Sequence, residues 1–495
     1  MTDELEVRLR KLEMLRQLGI EPFPHDYKPD HRVHELIESK ALDVPVKIAG
    51  RITAMRMHGK SAFVDLFDRG SRIQLFFDSG QLGKSYQLLD LLDIGDIVGV
   101  EGTTFNTQRG EYSVRASNLQ LLSKAIRPLA SIWHGLKDPE TRYADRTLDL
   151  LMNPDVADVF RKRAAITREM RAYLDGTGFL EVDVPLLQPV YGGASATPFS
   201  TKVNALNRTY YLSISPELYL KRLIAGGFDA VYALTKNFRN EGLDSTHNPE
   251  FTMMECYRAL DDYNGMMSLT ENMIANIAIQ VNGSPVVTYQ SYAINFTPPW
   301  KRLPMLDAVE IATGYDFGNM SEGALKDWLS SRDGIRIEGY EGMTKGQIII
   351  EMFERLVAPE LVGPVFITDH PLESTSLCKQ HRKPKEGLVN LTLIERFEPY
   401  VAGMEIGNAY TELNDPILQR RLYSEHLERE KVRLQKAGAD TSHLQVDEPF
   451  LRALEYGMPP TGGLGIGVDR LVMLLTDKPS IKDVILFPMT KAELK

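Results

Sequence analysis

Only two cysteines, Cys256 and Cys378, stand in 495 residues, and they are far apart. That excludes a disulfide framework or a cysteine-rich zinc site and points to a reducing compartment, expected to be the cytoplasm. Cys378 and His381 have a ligand-like spacing but no second pair, so they read as structural. No apolar run is long enough to cross a bilayer. The acidic, amphipathic start Met1-Thr2-Asp3-Glu4-Leu5 fits neither a signal nor a transit peptide. Excess positive charge is missing too. At a net charge of −10 the chain is no generic polyanion binder, and any nucleic-acid contact must come from a local patch. What remains is the composition of a soluble globular protein, 43% hydrophobic and 25% charged, long enough for two to four domains.

Residues 1–20 read as an amphipathic helix (Leu5, Leu9, Leu12, Leu15, Leu18) closed by Gly19, with Arg8, Arg10 and Glu13 on a solvated face. From Val46 to Leu122 the pattern changes to five short strands with glycines at the turns, which suggests a small barrel of the oligonucleotide-binding type. A basic strip, Arg51, Arg56, Lys60, Arg69 and Arg72, crosses it. Phe63 and Gln74 are placed to stack on and hydrogen-bond to unpaired bases. A barrel core also uses Phe, so both readings stand at this point.

The informative stretch of the second half is Phe238-Arg239-Asn240-Glu241, a polar loop, then His247-Asn248-Pro249-Glu250-Phe251 to Tyr257. It reads as two strands joined by a long loop. Side chains alternate along a strand, so Phe251, Met253, Glu255 and Tyr257 share one face, and Arg239 and Glu241 share a face of the partner strand. Ionised groups are rarely buried without partners, so such a face suits a polar ligand better than a core. Gly192-Gly193 forms a loop where backbone can approach a ligand. Ser215-Pro216 opens a short helix with Glu217 in its first turn. In 405–415, Asn408, Tyr410 and Glu412 share a strand face. Glu398 and Glu405 flank a turn and could converge on a cation, and two carboxylates are enough for magnesium. Finally, Thr461 to Arg470 is a glycine-rich strand and turn opening into a helix that favours an anionic ligand. Its spacing matches neither the dinucleotide fingerprint nor the P-loop.

Three pieces stand in a telling order: a long helix and strand ending at Pro185, Phe238–Glu241 with His247–Glu255, and Gly465-Ile466-Gly467-Val468-Asp469-Arg470. Together they resemble motifs 1, 2 and 3 of class II aminoacyl-tRNA synthetases. With the barrel, the chain is similar to the aspartyl/asparaginyl/lysyl subgroup. Leu18-Gly19-Ile20-Glu21-Pro22-Phe23-Pro24, Thr297–Arg302 and Glu405–Asp415 make it resemble the bacterial-type lysyl-tRNA synthetases from end to end. The resemblance implies an α+β fold. An OB-fold anticodon-binding domain with its N-terminal helix is expected at 1–125, a connector at 126–152, and a catalytic domain at 153–495 built on an antiparallel sheet flanked by helices, with a helical insertion at about 304–360.

It also implies ATP, L-lysine and tRNA(Lys) as partners, Mg2+ as cofactor, and a homodimer. Arg239 and Arg470 would be catalytic. Asn240, Glu241, His247, Asn248, Phe251, Glu398 and Gly467 would join them around ATP. Gly193, Glu217, Glu255, Tyr257, Asn408, Tyr410 and Glu412 would bind lysine. Glu398 and Glu405 would hold the metal, and Arg56, Phe63 and Gln74 would bind the anticodon. Tyr410 departs from the Phe common in relatives. An aspartate pocket would need a cation where this sequence offers acid. A catalytically dead RNA-binding paralogue should have lost Arg239, Arg470 or the pair Glu398 and Glu405, and all four are present.

Overall fold

A computed structural model describes residues 3–129, 136–194, 196–331, 336–383, 385–436 and 445–490. Trp133 of the expected connector and Gly438, expected to close a long helix, lie outside the described residues. The chain divides into two compact units, Met1–Val156 and Ala157–Glu493.

In the first unit, β1 (Pro45–His58), β2 (Ser61–Asp68), β3 (Ser71–Asp78), β4 (Ile97–Asn106) and β5 (Tyr112–Ser123) close into a barrel in the order β1-β2-β3-β5-β4. Alternation makes the barrel: Val64, Leu66, Leu75, Val100 and Val114 point inward and are buried together. Phe63 and Gln74 fall in the opposite phase, on the outer face. The helix Asp3–Gln17 forms as expected, with one correction. Arg8, read as solvated, is buried. Its guanidinium donates to the carbonyls of Ile94 and Ala125, at 3.0 and 3.2 Å, and to Glu4. Those carbonyls lie outside the strands and need a donor when buried.

The second unit holds a nine-stranded sheet. From one edge its main path runs Lys301–Pro304, Val365–Pro371, Leu393–Val401, Gly407–Thr411, Thr461–Gly467, Glu250–Ala259, Ala230–Phe238, Leu180–Glu181. Pairing is antiparallel throughout the middle and parallel at both edges, so the sheet is mixed rather than wholly antiparallel. Met254, Cys256, Leu464 and Ile466 face one way, into a core shared with Ile166 and Met170 of the helix Pro154–Gly176 and Met273 of the helix Tyr263–Asn282. The opposite face of the same strands carries Glu255, Tyr257, Gly463 and Gly465, and that face is the site. The strand expected at Phe179–Val184 shrinks to Leu180–Glu181. Arg239 and Glu241 stand beyond the strand end at Phe238, in the loop, and not on a strand face. The insertion is helical (Met305–Thr313, Glu322–Ser330, Lys345–Leu356) around its own core of Val309, Phe317, Leu325, Ile349 and Phe353.

Candidate active site

A cavity of about 920 Å³ lies on that free face. Its floor is the glycine strand Thr461–Gly467. In register, Gly463 stands between Tyr257 and Tyr410, and Gly465 between Glu255 and Asn408. A Cβ on Gly463 would meet Glu412 Oε1 at 2.0 Å and the Tyr257 ring at 2.5 Å, so the missing side chain is what lets these groups converge. The even-numbered positions, Leu464 and Ile466, face the core. One strand therefore anchors the sheet with one face and makes room with the other.

The acidic end is built from three elements. Glu217 opens the helix Glu217–Ala225, where Ser215 Oγ accepts from its backbone N–H and donates to Glu255 Oε1 at 2.8 Å. Glu255 and Tyr257 come from the hairpin, the phenol donating to Glu255 Oε2 at 3.0 Å. Glu412 follows the strand Gly407–Thr411 and is wholly buried. Burial, with Glu217 nearby, pushes the Glu255 carboxyl up to about 7. Burial raises Glu412 to about 8, even though Lys221 opposes the shift. Lys221 was missed by sequence reading. It lies one helical turn after Glu217, its Nζ is 2.5 Å from Glu217 Oε1, and it also pairs with Glu412 Oε2. The acidic end thus contains one cation of its own. Neither Glu412 oxygen has a hydrogen-bond partner among the described residues, and only Oε2 has the Lys221 ion pair. Gly193, at φ +85°, brings the loop backbone against Ser215 and Glu217, where a Cβ would fall within 3.0 Å.

The other end is basic. The Arg239 guanidinium lies over the Phe251 ring at 5.1 Å and donates weakly to the Ile214 carbonyl. Arg470 stands in the first turns of the helix Val468–Thr476. It donates to the Glu405 carbonyl at 2.6 Å and meets His247 Nε2 at 3.1 Å. Its neighbour Asp469 fixes that helix to the rest of the site. Asp469 accepts from Arg163 of the long helix at 2.6 Å and from the Thr252 N–H of the hairpin at 2.6 Å. The three sequence motifs meet at this one carboxylate.

Of the residues expected around ATP and lysine, Asn240 and Glu398 do not line the cavity, and the others do. Asn240 is exposed beside it. Glu398 is buried on the strand Leu393–Val401, held by Arg396 and by the Tyr400 hydroxyl at 3.2 Å. Asn248 lines the wall, but its amide is occupied by the Glu250 carbonyl at 2.6 Å. Burial, and then Glu398, raise the Glu405 carboxyl. A buried carboxyl whose ionised form is disfavoured by a neighbouring carboxylate suits a divalent cation, so these residues fit the expected metal. Among the described residues no group of three or more histidine, cysteine, aspartate or glutamate side chains is arranged to hold a metal ion. Arg396, also missed, lines the cavity and donates to Asn408 Oδ1 at 2.9 Å.

On the barrel, Phe63 packs on Phe76 at 5.1 Å, and Phe76 on Phe105 at 6.1 Å. Arg56 and Arg72 both pair with Asp65, and Gln74 accepts from Ser113 at 3.2 Å. The three expected anticodon residues therefore share one outer face, extended by two aromatics that sequence reading did not single out.

A basic and an acidic end in one cavity, over the antiparallel middle of a mixed sheet with the three motifs joined at Asp469, agree with the comparisons. Residues 138–491 match the model of tRNA synthetases class II (D, K and N), and 46–122 match the OB-fold nucleic acid binding domain. The chain belongs to the class II tRNA synthetases of the D, K and N group. More particularly, it is 46% identical to the lysine--tRNA ligase of Carboxydothermus hydrogenoformans, with 98% of each chain covered. It is 47% identical to that of Moorella thermoacetica (98% and 97% covered), and 45% identical to that of Clostridium botulinum (99% and 96%).

Proposed function

We propose that the protein activates L-lysine with ATP to lysyl-adenylate and transfers the lysyl group to the 3′ end of tRNA(Lys). The observation that carries this reading is the pairing of ends: three buried carboxylates, Glu217, Glu255 and Glu412, face Arg239, His247 and Arg470 across one cavity. An amino acid with two ammonium groups fills the acidic end, and its carboxylate reaches the basic end beside a triphosphate. Glu217 and Glu255, with the Gly193 backbone, take the α-ammonium. Glu412, Tyr257, Asn408 and Tyr410 take the ε-ammonium. Lys221 does not make this an aspartate pocket, because its charge is already shared between Glu217 and Glu412.

The reaction needs two anions to meet. A lysine carboxylate oxygen forms a bond to the α-phosphorus, and the bond to the bridging oxygen breaks, sending its electron pair out with pyrophosphate. Positioning and charge neutralisation suffice, with no protein nucleophile. Arg239 bridges carboxylate and α-phosphate. Phe251 stacks on adenine, Asn240 and Glu241 edge it, and His247 and Arg470 reach the outer phosphates while Asn248 and Gly467 shape the ATP wall. Glu398 and Glu405 would hold Mg2+, which when bound neutralises phosphate charge. A ribose hydroxyl of the tRNA then attacks the lysyl carbonyl and AMP leaves. Arg56, Phe63 and Gln74 bind the anticodon, and the active protein is a cytoplasmic homodimer. No described helix is long and apolar enough to cross a membrane.

The test is ATP–pyrophosphate exchange without tRNA across the twenty standard amino acids. Lysine alone should support it. Exchange with aspartate or asparagine would overturn the pocket assignment, and exchange with none would overturn the activity.

A further inference from the structure

A buried charge behind the acidic end takes no part in the reaction described above. Lys221 is wholly buried, and its ammonium lies 6.0 Å from the centre of the Phe450 ring. It does not line the cavity but stands behind Glu217 and Glu412, which do. The remaining titratable groups around this end are neutral at working pH. Burial, followed by surrounding carboxylates, pushes the Tyr257 phenol up, and burial likewise raises the Tyr410 and Tyr423 phenols and the Cys378 thiol. Glu255 approaches from the hairpin. The other nearby guanidinium, Arg396, is engaged by Glu398 and Asn408. Once all three carboxylates are ionised, they leave two negative charges against the one ammonium. That is the number of ammonium groups on free lysine.

We propose that Lys221 is the fixed counter-ion of the amino-acid pocket, a positioning residue that favours the ionised form of Glu412 and holds Glu217 and Glu412 correctly spaced for a dicationic substrate. The inference rests on the lysine reading given above. Without a cation behind it, the Glu412 carboxylate in a dry pocket next to two others would hold its proton to higher pH, and a protonated carboxyl no longer attracts an ammonium. With Lys221 contacting Glu412 through Oε2, Oε1 stays free and buried at the wall, set for the substrate. Burial works against the Lys221 ammonium, but Glu217 and Glu412 outweigh it and hold its pKa above the ordinary lysine value, so it keeps its charge. A cation placed inside the cavity would compete with substrate; placed behind the wall it only sets the charge.

The full-length enzyme is first assayed for exchange across the amino acids, then Lys221→Met and Lys221→Arg are compared with it. In Lys221→Met the KM for lysine should rise by about thirty-fold or more, the loss expected for truncating one partner of a buried ion pair, with the KM for ATP unchanged. The acidic limb of kcat/KM for lysine should move up by about one pH unit or more, because an opposite charge at contact distance lowers a carboxylate pKa by about that much. Lys221→Arg should bring the limb back toward wild type. An unchanged lysine KM, or a raised KM with an unmoved limb, would overturn the counter-ion role and leave a merely structural ion pair. Should Lys221→Met fail to fold, Glu217→Gln/Lys221→Met replaces the pair by neutral groups and is compared with Glu217→Gln; the limb set by Glu412 must still move. If the wild-type enzyme does not exchange with lysine, the functional reading itself falls. If it does and the limb stays, this inference falls alone.

Discussion

Replacing Arg239 with alanine separates what this residue does for the reaction from what it does for the fold. Its guanidinium is half-buried, burial pushes its pKa down, and its hydrogen bonds to the Ile214 carbonyl are long, at 3.4 Å each. No carboxylate among the described residues forms an ion pair with it; Glu255, Glu405 and Glu241 offset the desolvation in part from a distance, beside its contact with the Phe251 ring. Its removal should therefore change stability by no more than about 1 kcal/mol. In the reaction the same group bridges two anions through two charge-assisted hydrogen bonds, each worth about 1.5–3 kcal/mol. The loss is about 3–6 kcal/mol, or about 10²–10⁴ in rate. The assay is lysine-dependent pyrophosphate exchange, with a denaturant melt of the same preparation. A fall of less than about tenfold with an unchanged melt would refute the bridging role. A collapse of the melt would refute the view that Arg239 is held at the fold's expense.

Acidity gives a second test. Glu255 at about 7 and Glu412 at about 8 must be ionised to receive ammonium groups, so kcat/KM for lysine should climb from pH 6 to beyond 8, while the KM for ATP shows no matching limb. The sign for stability runs the other way. The folded-state pKa of Glu255 lies above the ordinary 4.5, so its contribution is full below that value and is lost as pH rises through about 7. Bound lysine should therefore raise the melting temperature more at pH 8 than at pH 6; equal shifts would count against a raised Glu255. On the barrel, Phe63→Ala should weaken tRNA binding by about 1–3 kcal/mol, the worth of one stacked base, seen as a higher KM for tRNA with unchanged pyrophosphate exchange. An unaltered KM for tRNA would remove Phe63 from the anticodon surface.

Period-two alternation made much of this site legible. It put Glu255 with Tyr257, and Asn408 with Tyr410 and Glu412, on shared faces, because a strand leaves a side chain only two choices. The same alternation places Arg396, two residues before Glu398, on the same face as that carboxylate. Lys221 was hidden differently. A Glu and a Lys four apart on a helix normally form a solvated surface pair. Here Leu218, Leu220 and Ile224 bury that turn on several sides, a signal present in the sequence but easy to pass over. The aromatic platform of Phe63, Phe76 and Phe105 depends on register between strands distant in sequence, which local pattern does not carry. Arg8 shows the limit of helical periodicity. A charged residue on the polar side was drawn inward by loop carbonyls that no pattern marks.

The glycine strand has a consequence for redesign. Most binding pockets can be enlarged by trimming a bulky wall residue, and evolution can retune them by the same small steps. At Gly463 and Gly465 there is nothing left to trim, and the only available change is to add atoms where Tyr257 and Glu412 crowd the first and Met253 and Glu255 the second. That wall can only move inward. A variant that accepts a longer or bulkier amino acid must therefore be sought on the opposite walls, among the hairpin and helix side chains. Substitutions along this strand should act as a one-way filter, excluding ligands and never admitting new ones.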